Sequence, residues 1–554
     1  MSVISDPPRV AYVVSGDLVR YADLLPSNKG RSSLVHSLAY HLDLLDLSGL
    51  DEDDKGVGTS RSEKSKLLAS LLVDSAHVSS AGEDRNRARV YLPHAASHQQ
   101  LTSYHEASFV QQLAKGANAG NLERPNKRQS THSRSRSSDS SGVSSSGDSE
   151  ASTASHSSSD LHLRPSNAVA GPSRQRGYKR PRAAKNQFGL QDDCPAFDGL
   201  HRHISLVAGA SITAAELLAT GQADVAIAWD GGRHHAKKDS ASGFCYINDV
   251  VLAILALRKP RKVTVTTTVP RPAAENGEEV VRKTTIKRVD RVMYLDLDLH
   301  WGDGVEEAFH TSPNVLTLSI HHYAPGFFPC YAPAADPERF GPPGSLHGDA
   351  GVGHNTLNIP LGLGTSDASL ERVLESTVEP LAEAWDPEMV VVQCGVDGLA
   401  GDPMAVWNLS ASAYVAAIQR VLRWKKPTLL LGGGGYNSEN AARCWSLITA
   451  ACLGRFQDDQ QVRRATKVTQ DEPTPLTKPK EEVEKTTGDA SLDTVGPDTP
   501  VPDHKFWPNY APEYTLDVPA GERIDQNDET HFEAIHKTFL EHTKHLASTP
   551  RQSK

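Results

Sequence analysis

The feature that most constrains this chain is a buried strand followed at once by metal-ligand side chains. Residues 292–295 (Val-Met-Tyr-Leu) form a continuous apolar run, typical of a parallel strand that helices cover on both faces. The run continues as Asp296, Leu297, Asp298, Leu299, His300, Trp301, Gly302, Asp303 and Gly304. If the strand extends through this segment, its period of two puts Asp296, Asp298 and His300 on one face. Charges beside so apolar a run are costly without a partner, so we expect a bound cation and disfavour the alternative of an edge strand with solvated acids.

Strand and helix patterns alternate along the rest of the chain. Strand-like apolar runs occur at residues 10–14, 225–229, 315–320, 389–394 and 428–431. Helical patterns occur at residues 34–45, 66–73, 103–113, 211–218, 249–257, 370–385, 411–424 and 441–453. This alternation is typical of βαβ units and predicts an α/β fold with a central, mostly parallel sheet flanked by helices. Two Thr-, Val- and Lys-rich runs, 262–269 and 280–287, surround Asn276-Gly277 and predict an inserted β-hairpin.

Polar segments divide this predicted single domain into parts. We expect residues 1–117, 186–456 and 500–545 to form the domain, with a surface excursion near 51–85 and a tail at 546–554. Residues 118–185 and 457–499 are predicted to be disordered insertions, because their Ser-, Arg-, Thr- and Pro-rich composition cannot bury a core. A basic cluster in the first insertion fits a nuclear-import signal and a merely soluble linker equally well. The cluster consists of Arg174, Arg176, Lys179, Arg180, Arg182 and Lys185.

Composition excludes several classes of protein. The 554-residue chain has a formal net charge of -10, which argues against a surface built for general nucleic-acid binding. Its six cysteines are scattered singly, as expected in a reducing compartment. Residues 1–9 lack the pattern of a leader, and no apolar stretch is long enough to span a bilayer. We therefore expect a soluble intracellular protein with no direct nucleic-acid partner and no membrane partner.

Polar and charged side chains follow four of the predicted strands. In open parallel sheets, ligands bind beyond the carboxyl ends of the strands. The four strand ends deliver residues 230–235, residues 298–303, Asp397 with Asp402, and residues 432–436. We expect the functional site to lie where these ends meet.

Three of these residues form a natural metal site. A single catalytic metal needs three protein ligands and one open position, and Asp298, His300 and Asp397 fit this requirement. Two carboxylates and one imidazole suit zinc or ferrous iron. The adjacent His234 and His235 are alternative ligands.

We prefer to interpret the two histidines as members of His-Asp dyads. Asp296 and Asp303 remain available to orient them. A carboxylate behind an imidazole fixes its tautomer and raises its basicity, which suits a general base. The glycines of residues 432–435 lack the Lys-Ser/Thr of a P-loop, so we expect them to allow close backbone approach to a ligand. Tyr436 would then donate a hydrogen bond to a developing oxyanion.

Five segments together carry a family resemblance. They are Gly231–Lys238, Gly243–Tyr246, Asp296–Gly304, Gly401–Met404 and Gly432–Tyr436. These segments resemble the motifs of class I zinc-dependent histone deacetylases, over a region from Val10 to about Gly454 that resumes at Val501. The resemblance implies the arginase/deacetylase fold and hydrolysis of the acetyl amide of N6-acetyl-lysine in histones or other chromatin proteins, with release of acetate.

The resemblance also implies roles for individual residues. The zinc ligands would be Asp298, His300 and Asp397. The dyads would be His234 with Asp296 and His235 with Asp303, with His235 as general base and then general acid. Tyr436 would polarise the acetyl carbonyl together with zinc.

Further residues would bind the substrate, potassium ions and the product. The substrate-binding residues would be Asp193, Gly243, Phe244, Phe328 and Met404. One potassium site would comprise Asp296, Asp298, His300, Ser319 and Ile320, and a second Phe309, Ser312 and Val315. Arg31 would line an acetate exit channel.

The chain departs from the family pattern at three places. Trp301 replaces the second histidine usual after the zinc histidine, and Arg233 stands where an apolar residue normally precedes the histidine pair. A Gly-Thr-Gly segment is replaced by Cys330-Tyr331-Ala332. We expect the first two changes to reshape the internal channel and the third to affect substrate choice at the rim.

The resemblance suggests partners and two alternative functions. It implies an acetylated histone or another acetyl-lysine protein as substrate and a corepressor or chromatin complex as partner. It also implies location in the nucleus, with the cytoplasm as an additional location. One alternative is a non-catalytic acetyl-lysine-binding scaffold, against which the retained Tyr436 and dyads argue. The other is an acetylpolyamine amidohydrolase, against which Asp193, suited to a peptide backbone, argues.

Overall fold

Nine parallel strands form the sheet around which the chain is organised. A computed structural model describes residues 7–48, 50, 68, 70, 86–115, 188–270, 278–329, 355–458 and 494–548. The sheet strands are β1 (Val10–Val13), β2 (Leu45–Asp46), β3 (Ala88–Tyr91), β4 (Val225–Ala228), β7 (Val292–Asp296), β8 (Val315–His322), β9 (Thr356–Leu361), β10 (Met389–Gln393) and β11 (Thr428–Leu431). Their order is β2-β3-β1-β4-β11-β10-β7-β8-β9, which confirms the predicted parallel sheet.

A separate antiparallel hairpin precedes the central strand. It pairs β5 (Arg261–Pro270) with β6 (Glu278–Lys287), from Arg261 opposite Lys287 to Pro270 opposite Glu278. This confirms the two predicted hairpin strands, whereas the predicted Asn276-Gly277 turn lies outside the described residues.

Helices cover both faces of the sheet. They are α1 (Gly16–Ala22), α2 (Arg31–His41), α3 (His98–Leu101), α4 (Ala107–Lys115), α5 (Leu200–Ala219), α6 (Asp249–Arg258), α7 (Asp303–Phe309), α8 (Asp367–Val373), α9 (Glu379–Trp385), α10 (Ala411–Arg423), α11 (Ser438–Cys452) and α12 (Glu529–Ser548). A π-helical segment, Leu374–Val378, joins α8 to α9, and a 3₁₀ turn forms at Trp507–Tyr510.

The alternation of side chains along each strand divides the core in two. Tyr12 and Leu295 belong to the cluster that packs against α2, α10 and α11. Val13 and Tyr294 belong to the other cluster, packed against α5 and α6. Because both faces of the sheet are buried, its central strands are mainly apolar, and their polar groups lie mostly toward the carboxyl ends.

Several predicted boundaries were wrong. The central strand ends at Asp296, so Asp298 and His300 lie in the loop that follows rather than on a strand face. The helix predicted at residues 34–45 is α2, which begins at Arg31 after a left-handed Gly30 and ends at His41. Strand β9 was missed because Asn358 and Pro360 interrupt its apolar pattern, and a proline is tolerated there since β9 is an edge strand.

The predicted insertions fall largely outside the described residues. Residues 118–185, including the basic cluster, and residues 459–493 are not described, nor are Cys330-Tyr331-Ala332 and most of the 51–85 excursion with its 66–73 helix. Two boundaries need correction, because Val495 is buried and pairs with Phe456, and Leu546 is buried within α12. Ordered structure therefore resumes before residue 500 and continues past residue 545. None of the described helices is long and apolar enough to cross a membrane.

Candidate active site

The site lies at the carboxyl ends of four neighbouring strands. Strands β4, β11, β10 and β7 are adjacent in the sheet. They are followed by residues 230–235, 432–436, Asp397 and residues 298–303, respectively. The structure therefore brings together the four polar strand ends that the sequence identified, as expected for an open parallel sheet.

Asp298 and His300 reach the site through two short turns beyond β7. The Asp298 backbone N–H donates to Asp296 Oδ1 at 3.1 Å, and the His300 N–H donates to Asp298 Oδ1 at 3.0 Å. Each aspartate thus accepts from the backbone two residues further on, as Asx turns do. The sequence predicted that strand alternation would bring Asp298 and His300 to one face. The two turns do so instead, and both side chains still reach the same site.

Asp298, His300 and Asp397 have the geometry of a metal site. Each offers one ligand atom, and these atoms lie within 4.8 Å of one another. All three residues are buried. Asp397 Oδ2 lies 2.9 Å from His300 Nδ1 but makes no hydrogen bond with any described residue, which leaves a buried oxygen that a cation would satisfy.

The concentration of negative charge in this cluster also favours a bound cation. Burial and the charge of Asp298 raise the pKa of Asp397 to about 7. Burial lowers the pKa of His300, but the flanking Asp298 and Asp397 outweigh it and raise that pKa to about 10. Two carboxylates and one imidazole in a buried cluster are a donor set that suits zinc.

The glycine loop after β11 lies against the carboxylates. Gly434 donates its N–H to Asp298 Oδ2 at 2.9 Å. A Cβ on Gly434 would lie 2.2 Å from Asp397 Oδ2, and a Cβ on Gly433 would lie 2.2 Å from Gln393 Nε2. The glycines therefore allow close backbone approach, as the sequence predicted.

Both His-Asp pairs are present. His234 Nδ1 lies 2.8 Å from Asp296 Oδ2, and His235 Nδ1 lies 2.8 Å from Asp303 Oδ1. Burial and the charge of His234 lower the pKa of His235 to about 3, so its ring is neutral and its Nε2 can accept a proton. Burial lowers the pKa of His234, but Asp296 and Asp298 outweigh it and raise that pKa to about 9.

A lysine supports the second pair from behind. Lys237 Nζ lies 2.6 Å from Asp303 Oδ2 and 3.2 Å from Glu307 Oε2. Burial raises the pKa of Asp303, but Lys237 and the hydrogen bond with His235 outweigh it and hold that pKa well below its ordinary value. Lys237, Asp303 and His235 thus form one connected row of charged and polar groups.

Tyr436 lies beside these groups with its hydroxyl protonated. Its backbone N–H donates to Asp402 Oδ2 at 2.7 Å, which anchors the residue beyond the glycine loop. Burial, with the charges of Asp397 and Asp298, raises the pKa of Tyr436 well above its ordinary value. Its hydroxyl can therefore donate a hydrogen bond at neutral pH.

Two aromatic rings line the approach. Phe328 lies 4.7 Å from His235, and Phe244 lies 5.7 Å from Tyr436, measured between ring centroids. A Cβ on Gly243 would lie 2.6 Å from the Phe328 ring, so only glycine fits between that ring and His235. Asp193 accepts a hydrogen bond from the Gly243 N–H at 2.6 Å, which places its carboxylate beside this entrance.

Sequence similarity to known proteins agrees with this geometry. A family model described as the histone deacetylase domain matches residues 61–266 and 279–452. Histone deacetylase 8 of Xenopus tropicalis is 34% identical over 363 residues, covering 65% of this chain and 76% of that protein. Histone deacetylase 8 of Danio rerio is 34% identical over 362 residues, covering 65% and 74%. Human histone deacetylase 1 is 38% identical over 270 residues, covering 48% and 47%.

The chain belongs to the histone deacetylase family. Its nine-stranded parallel sheet is therefore that of the arginase/deacetylase fold, and the protein is a lysine deacetylase acting on an acetylated protein. The family is zinc-dependent, which agrees with the buried cluster of two aspartates and one histidine.

Some functional residues of this deacetylase escaped the sequence analysis. Gln393 donates to Asp298 Oδ2 at 2.8 Å and to the Gly232 carbonyl at 3.2 Å, so it fixes one carboxylate of the cluster. It is the single polar residue of β10, which is a usable sequence signal. Lys237 belongs to a recognised motif, but sequence gave no reason to pair it with Asp303.

Trp301, one of the departures from the family pattern, makes a hydrogen bond to a buried carboxyl group. Trp301 donates its indole N–H to Glu306 Oε2 at 2.8 Å, and Asn358 donates to the same oxygen at 2.9 Å. Burial raises the pKa of Glu306 to about 7. Trp301 therefore donates a hydrogen bond to a buried carboxyl group of α7 that lies one helical turn from Asp303.

Proposed function

We propose that this deacetylase hydrolyses acetyl-lysine with a zinc ion held by Asp298, His300 and Asp397. The observation that carries the proposal is the buried cluster of these ligands beside His235 and Tyr436. Zinc bound there would act as a Lewis acid toward the acetyl carbonyl and a water molecule.

We assign the proton transfers to His235. Its Nδ1 is occupied by Asp303, so the opposite nitrogen, Nε2, is the one available to the substrate. A neutral His235 takes a proton from the attacking water and later gives it to the departing lysine amine. Asp303 holds the ring orientation and stabilises the positive charge formed in between, and Lys237 holds Asp303.

The oxyanion and the acyl-lysine chain would be held by other residues. Tyr436 donates its hydroxyl hydrogen to the developing oxyanion. The Phe244 and Phe328 rings exclude water from the lysine methylenes, and the Gly243 carbonyl accepts from the lysine amide. Met404 closes the inner side, where its backbone N–H is held by Asp402 at 2.9 Å.

We also propose two potassium sites. The first comprises Asp296, Asp298, His300, Ser319 and Ile320, and its support is the pairing of Asp296 with Ser319 between β7 and β8. The second comprises Phe309, Ser312 and Val315. The Ser312 and Val315 carbonyls both accept from the side-chain amide of Asn355, so they lie close together. Rotation of that amide would turn Asn355 Oδ1, a buried oxygen with no hydrogen-bond partner in the described part of the chain, toward a cation.

We propose a protein substrate, an acetylated histone or another chromatin protein. Asp193 supports this, because its carboxylate lies at the entrance beside Gly243, where a peptide N–H can reach it. The names of the relatives support a histone substrate in particular. A nuclear location and a corepressor or chromatin complex follow from the same proposal.

Metal analysis with substrate comparison tests these assignments. The purified full-length protein should bind zinc and release acetate from an acetyl-lysine peptide faster than from acetylspermidine. His235→Gln should retain zinc and lose turnover, whereas Asp397→Ala should lose zinc. A zinc-loaded protein that binds the peptide without turning it over would favour the scaffold alternative, and preference for acetylspermidine would favour the polyamine alternative.

A further inference from the structure

The β5–β6 hairpin is an extension at the end of the sheet opposite the active site. Its strands pair from Arg261 opposite Lys287 to Pro270 opposite Glu278. Ten residues in each strand give a ribbon roughly 30 Å long. The match to the histone deacetylase domain is interrupted at residues 267–278, within this hairpin. Strand β7 begins at Val292, shortly after β6 ends, so the hairpin meets the sheet at its amino end and contributes nothing to the site at the carboxyl ends.

Three exposed lysines surround the base of the hairpin. Lys259 follows α6, Lys262 lies in β5, and Lys287 ends β6. In the described part of the chain, none of the three has an ion-pair partner. Lys262 is opposite Ile286, one pair away from Lys287. Because neighbouring pairs of a ladder face alternate sides, Lys262 and Lys287 lie on opposite faces, and the base of the ribbon carries positive charge on both.

Two arginines extend this positive charge toward the domain. Arg288 follows β6, and its Nε lies 3.6 Å from Asp290 Oδ1. Arg258 ends α6 and donates to Ser312 Oγ at 3.4 Å, while its buried Nε has no hydrogen-bond partner among the described residues. Burial and the charge of Arg288 lower the pKa of Arg258, and Asp290 offsets only part of this effect. We call the five residues the basic base: Arg258, Lys259, Lys262, Lys287 and Arg288.

The charge and shape of the hairpin favour a duplex DNA partner. A local cluster of positive charge attracts polyanions, and the net charge of -10 over the whole chain does not exclude such a cluster. The major groove of B-DNA, about 12 Å wide, admits a two-stranded ribbon, whereas the major groove of duplex RNA is too narrow for side chains to read. A phosphate backbone borders each side of the groove, so lysines on both faces of the ribbon can each reach one backbone. An acidic peptide would need positive charge on one face only.

We propose that the β5–β6 hairpin binds duplex DNA without sequence preference, with the ribbon in the major groove and the basic base on the phosphates. Phosphate contacts supply affinity but carry no sequence information. Because the hairpin lies at the amino end of the sheet, bound DNA leaves the active site at the carboxyl ends open to an acetylated protein. The inference does not depend on the catalytic roles proposed above, and its test requires no turnover.

Fluorescence anisotropy of a labelled duplex of about 20 base pairs, two helical turns, measures DNA binding by the full-length protein. A triple variant of the basic base combines Lys259→Gln, Lys262→Gln and Lys287→Gln. We expect its Kd for DNA to rise roughly tenfold or more at about 0.1 M salt, and the slope of log Kd against log salt concentration to fall by roughly 3, since each phosphate contact contributes about 0.9.

A matched triple variant provides the control. It combines Lys425→Gln, Lys537→Gln and Lys544→Gln, which remove three exposed lysines elsewhere. This variant should keep the wild-type Kd and salt slope. Both triple variants retain the basic cluster between residues 174 and 185, so any DNA binding by that cluster is the same in the two.

A shortened hairpin tests the role of the ribbon itself. Residues 267–281 are replaced by Asn-Gly, so that a two-residue turn joins Thr266 to Arg282, which lie opposite each other in the ladder. This variant keeps the basic base and should still bind DNA more weakly than the wild type. All variants should keep the wild-type kcat/KM on a free acetyl-lysine peptide, because none of the changed residues lies in the active site. The proposal is overturned if the two triple variants bind DNA equally, if the shortened hairpin binds as tightly as the wild type, or if polyglutamate competes as well as unlabelled DNA.

Discussion

Replacing Lys237 by methionine tests the ion pair that holds Asp303 against His235, the proposed general base. The ammonium lies 2.6 Å from Asp303 Oδ2, so its gross attraction is about 6 kcal/mol at an effective dielectric constant of 20. The cost of desolvating both charges offsets part of this attraction, and 22% of the Lys237 side chain is exposed to solvent. We therefore expect the substitution to lower the free energy of unfolding by about 3 kcal/mol, near the lower end of the range for breaking a buried ion pair. The melting temperature should fall by roughly 4 °C.

The same substitution should change activity and its pH dependence. Lys237 holds the pKa of Asp303 well below its ordinary value, so Asp303 contributes stability above its unfolded pKa, and this is lost as pH falls through the folded pKa. In Lys237→Met this pKa rises, so the acid limb of kcat/KM should move to higher pH. A looser Asp303 should also lower kcat/KM by roughly tenfold or more.

Lys238→Met provides the matched control, because Lys238 is exposed and adjacent in sequence. Thermal melts and a kcat/KM profile from pH 5 to 10 on an acetyl-lysine peptide measure all three effects. The argument for Lys237 is refuted if the two methionine variants share the same melting temperature and pH profile.

Three further substitutions test other parts of the site. Tyr436→Phe should lower kcat by roughly 10²-fold or more while zinc content stays unchanged, and near-normal kcat would exclude the oxyanion role. Gly434→Ala puts a Cβ 2.2 Å from Asp397 Oδ2, so zinc retention during dialysis should fall, and full retention would contradict the close approach. Trp301→Phe removes a hydrogen-bond donor from Glu306, whose pKa is raised to about 7. Because this pKa is higher in the folded than in the unfolded protein, the contribution of Glu306 to the free energy of unfolding is lost as pH rises through 7. That variant should lose more stability at pH 8 than at pH 5, and an equal loss at both would refute the pairing.

Sequence predicted the residues of the site more successfully than the path of the backbone between them. The polar groups after four apolar runs are chemically unusual, so Asp298, His300 and Asp397 could be selected without a structure. The period-two argument for Asp298 and His300 was wrong, because each aspartate accepts from the backbone two residues later and ends the strand. Local hydrogen bonding by Asp competes with strand pairing, and apolar periodicity cannot detect it.

Partners far apart in sequence were the hardest to predict. Gln393 contacts Asp298 only because β10 and β7 are neighbours in register, with Gln393 opposite Asp296. Arg31 contacts the Gly433 and Gly435 carbonyls only because α2 packs against the glycine loop. Such pairs depend on the tertiary arrangement, which a single sequence does not contain.

The central claim is that this chain is a deacetylase whose catalysis depends on the zinc ligands and His235. The most direct measurement is single-turnover release of acetate from an acetyl-lysine peptide by the zinc-loaded full-length protein, beside His235→Gln with equal zinc content. We predict acetate release by the wild type and its loss in the variant. A wild-type protein that is folded, zinc-loaded and inert, or a variant that retains full turnover, would contradict the account.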